Sequence, residues 1–346
     1  MNPLVKTLFL IITFIILNVN KTYAQENPAE YMSKVSTILD KSKDEMYQYL
    51  KAISNGKSAR KVENKRNDLM QQIIEEINEL STIGNFNSDA SLKEGSKAYL
   101  RIQKTILQDD YGKIMNLEEI AEKSYDNMEM YLLMQEKANE KLDEASDTFD
   151  NIYKEFAANN DVKLIEGELD KKSKKIKKMA ETLHYYHEAY LIQLKCFHQE
   201  RYIIEAMGKG DVNAIQQNIN AQTALVEESM TKLEAMKPYE GDFSLINGTK
   251  TLLNFFKREA ENEFTQMMDF FIKKDNFETI KKNFEAKSKS EKDQAAVDEY
   301  NAGINDINAA TKKYNDLNNK SNSDRVKQNN DWNDLVNDFN AKHSKI

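Results

Sequence analysis

Apolar side chains recur every three or four positions along most of the chain. This spacing predicts amphipathic helices, because an α-helix completes a turn every 3.6 residues. The stretch after Pro28 is representative, with apolar positions at Met32, Val35, Ile38, Leu39, Met46 and Leu50. Helix-starting and helix-ending residues divide the pattern into long helices, which we place at residues 28–54, 58–82, 96–158, 168–207, 211–237 and 244–274. We expect a turn-rich, mobile loop at 83–95 and a break near Gly112.

The last part of the chain is less apolar but keeps the helical period. Its seam consists of Val297, Tyr300, Ile304, Ile307 and Tyr314, and a last amphipathic helix carries Trp332, Leu335, Val336 and Phe339. We therefore predict one helical bundle over residues 25–290, with C-terminal amphipathic helices over 291–346 that pack on the same bundle. The alternative is two bundles that share a long helix.

Composition narrows the fold class further. The chain has only ten glycines and three prolines in 346 residues, whereas average usage would make these two types about 12% of a protein. A Rossmann fold, a β-sandwich and a TIM barrel all need more turn residues and regular runs of β-branched residues. The expected fold is all-α, an elongated multi-helix bundle of long antiparallel helices that is coiled-coil-like in parts.

Residues 1–24 have the three parts of a secretory signal peptide. A short start with Lys6 precedes an apolar stretch from Thr7 to Leu17, and Thr22 and Ala24 supply the small residues of a cleavage site before Gln25. The apolar stretch is shorter than the roughly 20 residues of a membrane-spanning helix. Because no cysteine stands at the cleavage site, we expect no lipid anchor. The expected location is the periplasm or cell surface of a Gram-negative bacterium.

The net charge argues against nucleic-acid binding, and the cysteine count excludes an internal disulfide. The chain carries 57 acidic and 49 basic residues, for a net charge of −8, and loss of the signal would remove two of the lysines. An acidic protein is a poor match for nucleic acid, which is bound by releasing counterions from phosphates to a basic surface. Cys196 is the only cysteine, so an internal disulfide is impossible.

One run, HYYHEAYLIQLKCFHQER at 184–201, gathers three of the four histidines and the cysteine. His184 and His187 are three residues apart, and Glu181 precedes His184 by three, which is the Glu-x-x-His spacing of di-iron bundles. His198 is about 21 Å further along the helix and cannot share their ion. A second Glu-x-x-His is missing. These three residues are candidate metal ligands, and the alternative is that the histidines form hydrogen bonds at the edge of the core.

Two other stretches have a functional and a structural interpretation. In KKSKKIKK, a ridge of Lys171, Lys174 and Lys178 either binds an anionic partner or forms a solvated helix face. In the phenylalanine-rich helix after Ser244, one face forms either a core or a pocket for an apolar ligand. That face consists of Leu252, Phe256, Ala260, Phe264, Met267 and Phe271. We expect no cofactor, because no phosphate-binding or catalytic motif is present in the sequence.

Several stretches resemble a poorly characterised family of exported, all-helical surface or periplasmic proteins of spirochaetes and Bacteroidota. They are YLRIQKTILQDDYGKIMNLEEIAEKSYDNMEMYLLMQEKANEKLDEA, FAANNDVKLIEGELDKK, HYYHEAYLIQLKCFHQE and GDFSLINGTKTLLNFFKREAENEF. The resemblance implies an envelope location and no established activity, and it transfers no site residue. Some members look like lipoproteins, a feature from which this chain departs.

The sequence therefore favours a non-enzymatic exported envelope protein that acts through protein or surface interaction. Its partner would be an unknown protein or another envelope component. The alternative is a helical-bundle carrier of a metal or a small apolar ligand. No catalytic residue is expected in either case.

Overall fold

The computed structural model describes residues 14–16, 27–54, 59–110, 125–166 and 169–343. They form an all-α multi-helix bundle, which confirms the predicted fold class. The helices are α1 (Pro28–Leu39), α2 (Lys43–Ser54), α3 (Ala59–Thr82), α4 (Ser91–Thr105), α5 (Tyr125–Asn159), α6 (Lys171–Lys209), α7 (Val212–Ala235), α8 (Ser244–Arg258), α9 (Thr265–Ala286) and α10 (Gln294–His343). Two π-helical segments follow α4 and α8: π1 (Ile106–Asp110) and π2 (Glu259–Phe264).

Two three-residue strands complete the described elements. Strand β1 (Phe14–Ile16) pairs antiparallel with β2 (Leu164–Glu166). Apart from β1, the predicted signal segment lies outside the described residues, as does the predicted break near Gly112. None of the helices in the described ranges combines the length and the apolar character needed to cross a membrane.

The chain divides into two compact units, both of which use part of α6 and part of α10. Unit 1 comprises residues 1–187 and 337–346, and unit 2 comprises residues 188–336. In unit 1, the rings of Tyr31, Phe86 and Phe156 lie 5.5 to 5.8 Å apart and join α1, the α3–α4 connection and α5. Phe86 is 2% exposed. The predicted loop at 83–95 is therefore shorter than expected, since α4 begins at Ser91, and it is anchored by a buried ring.

The predicted first helix is two helices in the structure. Helix α1 ends at Leu39 and α2 begins at Lys43. The break frees the backbone N–H of Ser42, which donates to a carboxylate oxygen of Glu76 on α3. Glu76 is fully buried. A partner about 35 positions away thus decides where α1 ends, which explains why local periodicity missed the break.

Unit 2 contains an unbroken helical run from α8 through π2 to α9. All six residues of its predicted apolar face are buried, which confirms the core interpretation of Leu252, Phe256, Ala260, Phe264, Met267 and Phe271. Three consecutive steps of four residues drift about 120° around an α-helix. A π segment fits an additional residue into a turn. Segment π2 therefore brings the drifting face back onto the core.

Helix α10 is one continuous helix of 50 residues, where we had predicted separate amphipathic segments. Within unit 2 it runs antiparallel to the α8–α9 run. Phe284 stacks on Tyr300 at 4.5 Å between ring centroids, and Phe271 meets Tyr314 at 5.6 Å. These aromatic pairs include Tyr300 and Tyr314 of the predicted seam, so large aromatic contacts help to hold the weakly apolar C-terminal helix.

Candidate functional site

His184 and His187 lie on successive turns of α6, and both are half-buried. Burial, followed by the nearby charge of His184, lowers the pKa of His187 to about 4. The imidazole is therefore neutral at pH 7, the form that binds metals. The Glu181 carboxylate lies 4.0 Å from Lys177 Nζ. In the part of the chain that the structure describes, no three His, Cys, Asp or Glu side chains are arranged to hold a metal ion. The metal site stays a prediction from spacing.

Cys196 and His198 are structural side chains of α6. The Cys196 sulfur is 3.6 Å from the hydroxyl of Ser229, which donates to the carbonyl of Ile192 at 2.9 Å. Burial raises the pKa of Cys196 to about 11, so the thiol is protonated and unreactive at neutral pH. His198 is buried beside the ring of Phe197, and burial followed by the charge of Arg201 lowers its pKa. Neither side chain is placed for nucleophilic chemistry.

The lysine-rich turns of α6 carry some lysines that are exposed to solvent and others that contact α2. Lys171 and Lys174 are exposed and Lys178 is partly buried. Between them, Lys172 pairs with Asp44, and Lys175 lies 6.0 Å from the ring of Tyr47. Part of the basic run therefore holds α6 to α2. The ridge itself remains a predicted interaction face.

A groove between α4 and α5 has a mainly apolar lining, and sequence reasoning missed it. It has a volume of about 490 Å³. At one end the helices approach closely, because a Cβ on Gly95 would lie 2.9 Å from Ile152. Ala98 and Ala145 line the adjoining turns. Small residues on facing turns keep large side chains out of the space between the helices.

The floor and rim of this groove differ in character. Tyr99 and Phe149 stack across it with ring centroids 5.3 Å apart and a 15° interplanar angle. Ile102 lines it and is 41% exposed, which leaves part of its aliphatic surface in water. Arg101 and Lys141 stand at its polar margin. The arrangement offers a preformed apolar trough with polar edges, which is typical of small-molecule sites.

Buried carboxyl groups form a second unusual feature, in unit 2. Glu200 on α6 and Glu259 at the start of π2 are 4% and 1% exposed. Arg325 on α10 reaches both, with its Nε 2.7 Å from one Glu200 oxygen and its Nη2 2.7 Å from one Glu259 oxygen. Burial, followed by the neighbouring Glu200, raises the pKa of Glu259 to about 9. Glu259 is therefore protonated at neutral pH.

Comparisons with protein families, with characterised proteins and with solved structures find no match to this chain. The resemblance to exported spirochaete and Bacteroidota proteins therefore stays a prediction from the sequence.

Proposed function

We propose that this chain is an exported, non-enzymatic binding protein of the bacterial envelope, whose α4–α5 groove takes a small ligand with a hydrocarbon chain. The groove itself is the observation that carries the proposal. Export is supported by the signal-like pattern of residues 1–24 and by the resemblance to envelope proteins. Binding through the groove develops the apolar-ligand alternative that the helical sequence raised.

Three properties of the groove support a hydrocarbon ligand. Its volume of about 490 Å³ lies within the ~300–1,000 Å³ typical of ligand pockets. The stacked Tyr99 and Phe149 provide a rigid apolar wall. The exposure of Ile102 leaves apolar surface in water, and covering such surface gains roughly 25 cal/mol per Å². A hydrocarbon chain would cover these apolar surfaces, and it has no polar group that needs a hydrogen-bond partner there.

The proposal is tested by titrating the purified protein with cis-parinaric acid, a fatty acid whose fluorescence rises in apolar surroundings. Ala98 lines the groove and is exposed, so a phenyl ring at this position fills the groove without disturbing the core. We expect saturable binding to the wild type and at least tenfold weaker binding to Ala98→Phe.

The matched control is Ala302→Phe, which adds the same ring at an exposed helical alanine of α10. This variant should bind the probe as the wild type does, and both variants should keep the helical circular dichroism of the parent. No saturable binding to the wild type, or equal binding to both variants, would refute the groove as the site.

A further inference from the structure

Arg325 joins three helical segments of unit 2 at a point from which water is largely excluded. Its guanidinium contacts Glu200 on α6 and Glu259 on π2 at 2.7 Å each. Its Nη1 also donates to the side-chain oxygen of Asn322 at 2.7 Å, and its carbon Cζ lies 5.3 Å from the centre of the Phe264 ring. One cation thus serves two buried carboxyl groups.

The hydrogen bonds around Glu259 require a proton. As an ionised carboxylate, neither of its oxygens would have an aligned donor, although both are buried. One oxygen of each carboxyl nevertheless lies 2.7 Å from the guanidinium of Arg325. Burial, followed by a hydrogen bond with Glu200, raises the pKa of Glu259. Two ionised carboxylates have only acceptors, so they cannot form such a bond unless one of them carries a hydrogen. Protonation turns the carboxyl of Glu259 into a donor to Glu200.

Charge counting leads to the same state. With both carboxyl groups ionised, the buried cluster of Glu200, Glu259 and Arg325 would have a net charge of −1, and a buried unpaired charge is costly. With one shared proton the cluster is neutral. We propose that Glu200 and Glu259 share a single proton, and that its loss loosens the attachment of α10 to α6 and π2, which makes unit 2 sensitive to alkaline pH.

Four further charged side chains near this cluster pair with one another. From α8 and π2, Arg258 and Glu263 face α10, with 3.4 Å between Arg258 Nε and a Glu263 oxygen. From α10, Lys320 reaches the same Glu263 oxygen at 2.9 Å, and Asp324 accepts from Arg258 at 2.8 Å. Glu263 therefore contacts two cations, Arg258 and Lys320.

The π segment explains how the two carboxyl groups come to share one arginine. Glu259 is the first residue of π2, directly beside Ala260 of the apolar face. The wider turn places Glu259 among buried side chains instead of at the edge of the helix. Segments of this type are frequent at functional positions. Here the π turn begins with a buried acid that lies close to the guanidinium of Arg325.

Denaturant unfolding of the full chain from about pH 6 to about pH 9 tests the proposal. Trp332 is the only tryptophan, and it is buried on the unit 2 part of α10, so its fluorescence reports this unit. The folded state keeps a proton that an unfolded glutamate has already released. Rising pH must therefore lower the folding equilibrium constant, by up to tenfold per pH unit for one proton. Glu259→Gln keeps the donor and cannot ionise, so we expect it to lack this loss.

Glu261→Gln is the matched control, because it removes an exposed carboxyl from the same π turn. This variant should lose stability with pH as steeply as the wild type. Carbon-13 NMR of the glutamate carboxyl carbons provides a direct reading, in which one carboxyl of the pair should titrate well above the usual range. An equal pH slope in Glu259→Gln and wild type would overturn the proposal. A large loss of stability in Glu259→Gln at pH 6 would also overturn it.

Discussion

Asp170 should determine the stability of the first turn of α6. Its Oδ1 accepts from the backbone N–H groups of Lys172 and Ser173 at 2.8 and 3.0 Å, and its Oδ2 accepts from Lys43 of α2 at 2.9 Å. Partial burial alone would raise the pKa of Asp170. The hydrogen bonds from Ser173 and Lys43 outweigh it and hold this pKa well below its usual range.

The cost of Asp170→Ala follows from these contacts. Loss of the N-cap costs about 1 kcal/mol, and loss of a negative charge at the positive end of the helix costs about 0.5 kcal/mol. The partly exposed ion pair with Lys43 contributes at most about 0.5 kcal/mol, because Lys43 also pairs with Asp40. We expect the free energy of unfolding to fall by about 2 kcal/mol at pH 7. Asp170→Asn keeps a capping oxygen and should lose only about half as much.

Urea denaturation followed by circular dichroism measures these differences, and amide hydrogen exchange at residues 172–175 localises them to the first turn. The pKa of Asp170 is lowered in the folded state. Its charge-dependent contribution is therefore present at neutral pH and is lost as the pH falls through the folded pKa, so the stability of the wild type should approach that of Asp170→Asn in acid. Equal stabilities of wild type and Asp170→Ala at pH 7, or identical losses in the Asn and Ala variants, would refute this reasoning.

Two other buried polar groups lead to predictions about stability. Glu76 should make it depend on pH, and replacement of Gln222 should increase it. Burial raises the pKa of Glu76 to about 8 against the lowering effect of hydrogen bonds from Ser42, so its folded state holds a proton that the unfolded chain releases. Stability should fall as the pH rises from about 5 to about 8, and Glu76→Gln should flatten that fall in urea titrations. Gln222 is 1% exposed, and neither of its amide atoms has a hydrogen-bond partner in the described structure. Gln222→Met should therefore raise the free energy of unfolding by about 1 to 3 kcal/mol, measured by the same titration, and a loss would show that the amide is satisfied in solution.

The helical architecture was predictable because local sequence determines it. The apolar face from Leu252 to Phe271 repeats at three and four residues, and all six of its predicted members are buried. The predicted start of the 211–237 helix is also confirmed within one residue, since α7 begins at Val212 and the Asp211 side chain caps it by accepting from the N–H of Ala214 at 3.0 Å. The π turn within the long helical run was not predicted. It shifts hydrogen bonds by one residue, and its trace in the sequence is three consecutive steps of four between apolar positions, from Leu252 to Phe264.

Features that depend on contacts between distant segments could not be predicted from the sequence. The groove exists because α4 and α5 meet at Gly95 and Ile152, which are 57 positions apart. Its sequence signal is faint: small residues at Gly95 and Ala98 on the helix that also exposes Ile102. The break between α1 and α2 has a similar origin, because its free N–H is satisfied by a carboxylate from α3. Periodicity within one helix contains no information about such partners.

Acidic residues within an apolar stripe are the sequence feature that indicates a buried carboxyl group. Glu76 stands between Ile73 and Leu80 at core-facing spacing, and Glu200 stands between Cys196 and Ile203 in the same way; all six positions are at most 4% exposed. A carboxyl group at such a position must either find a hydrogen-bond donor for its ionised form or keep its proton. Glu76 accepts the N–H released at the end of α1, and Glu200 shares Arg325 with Glu259. Helical period therefore identifies which acids are buried, whereas only the fold shows that one is met by a helix break and the other by a paired acid and an arginine.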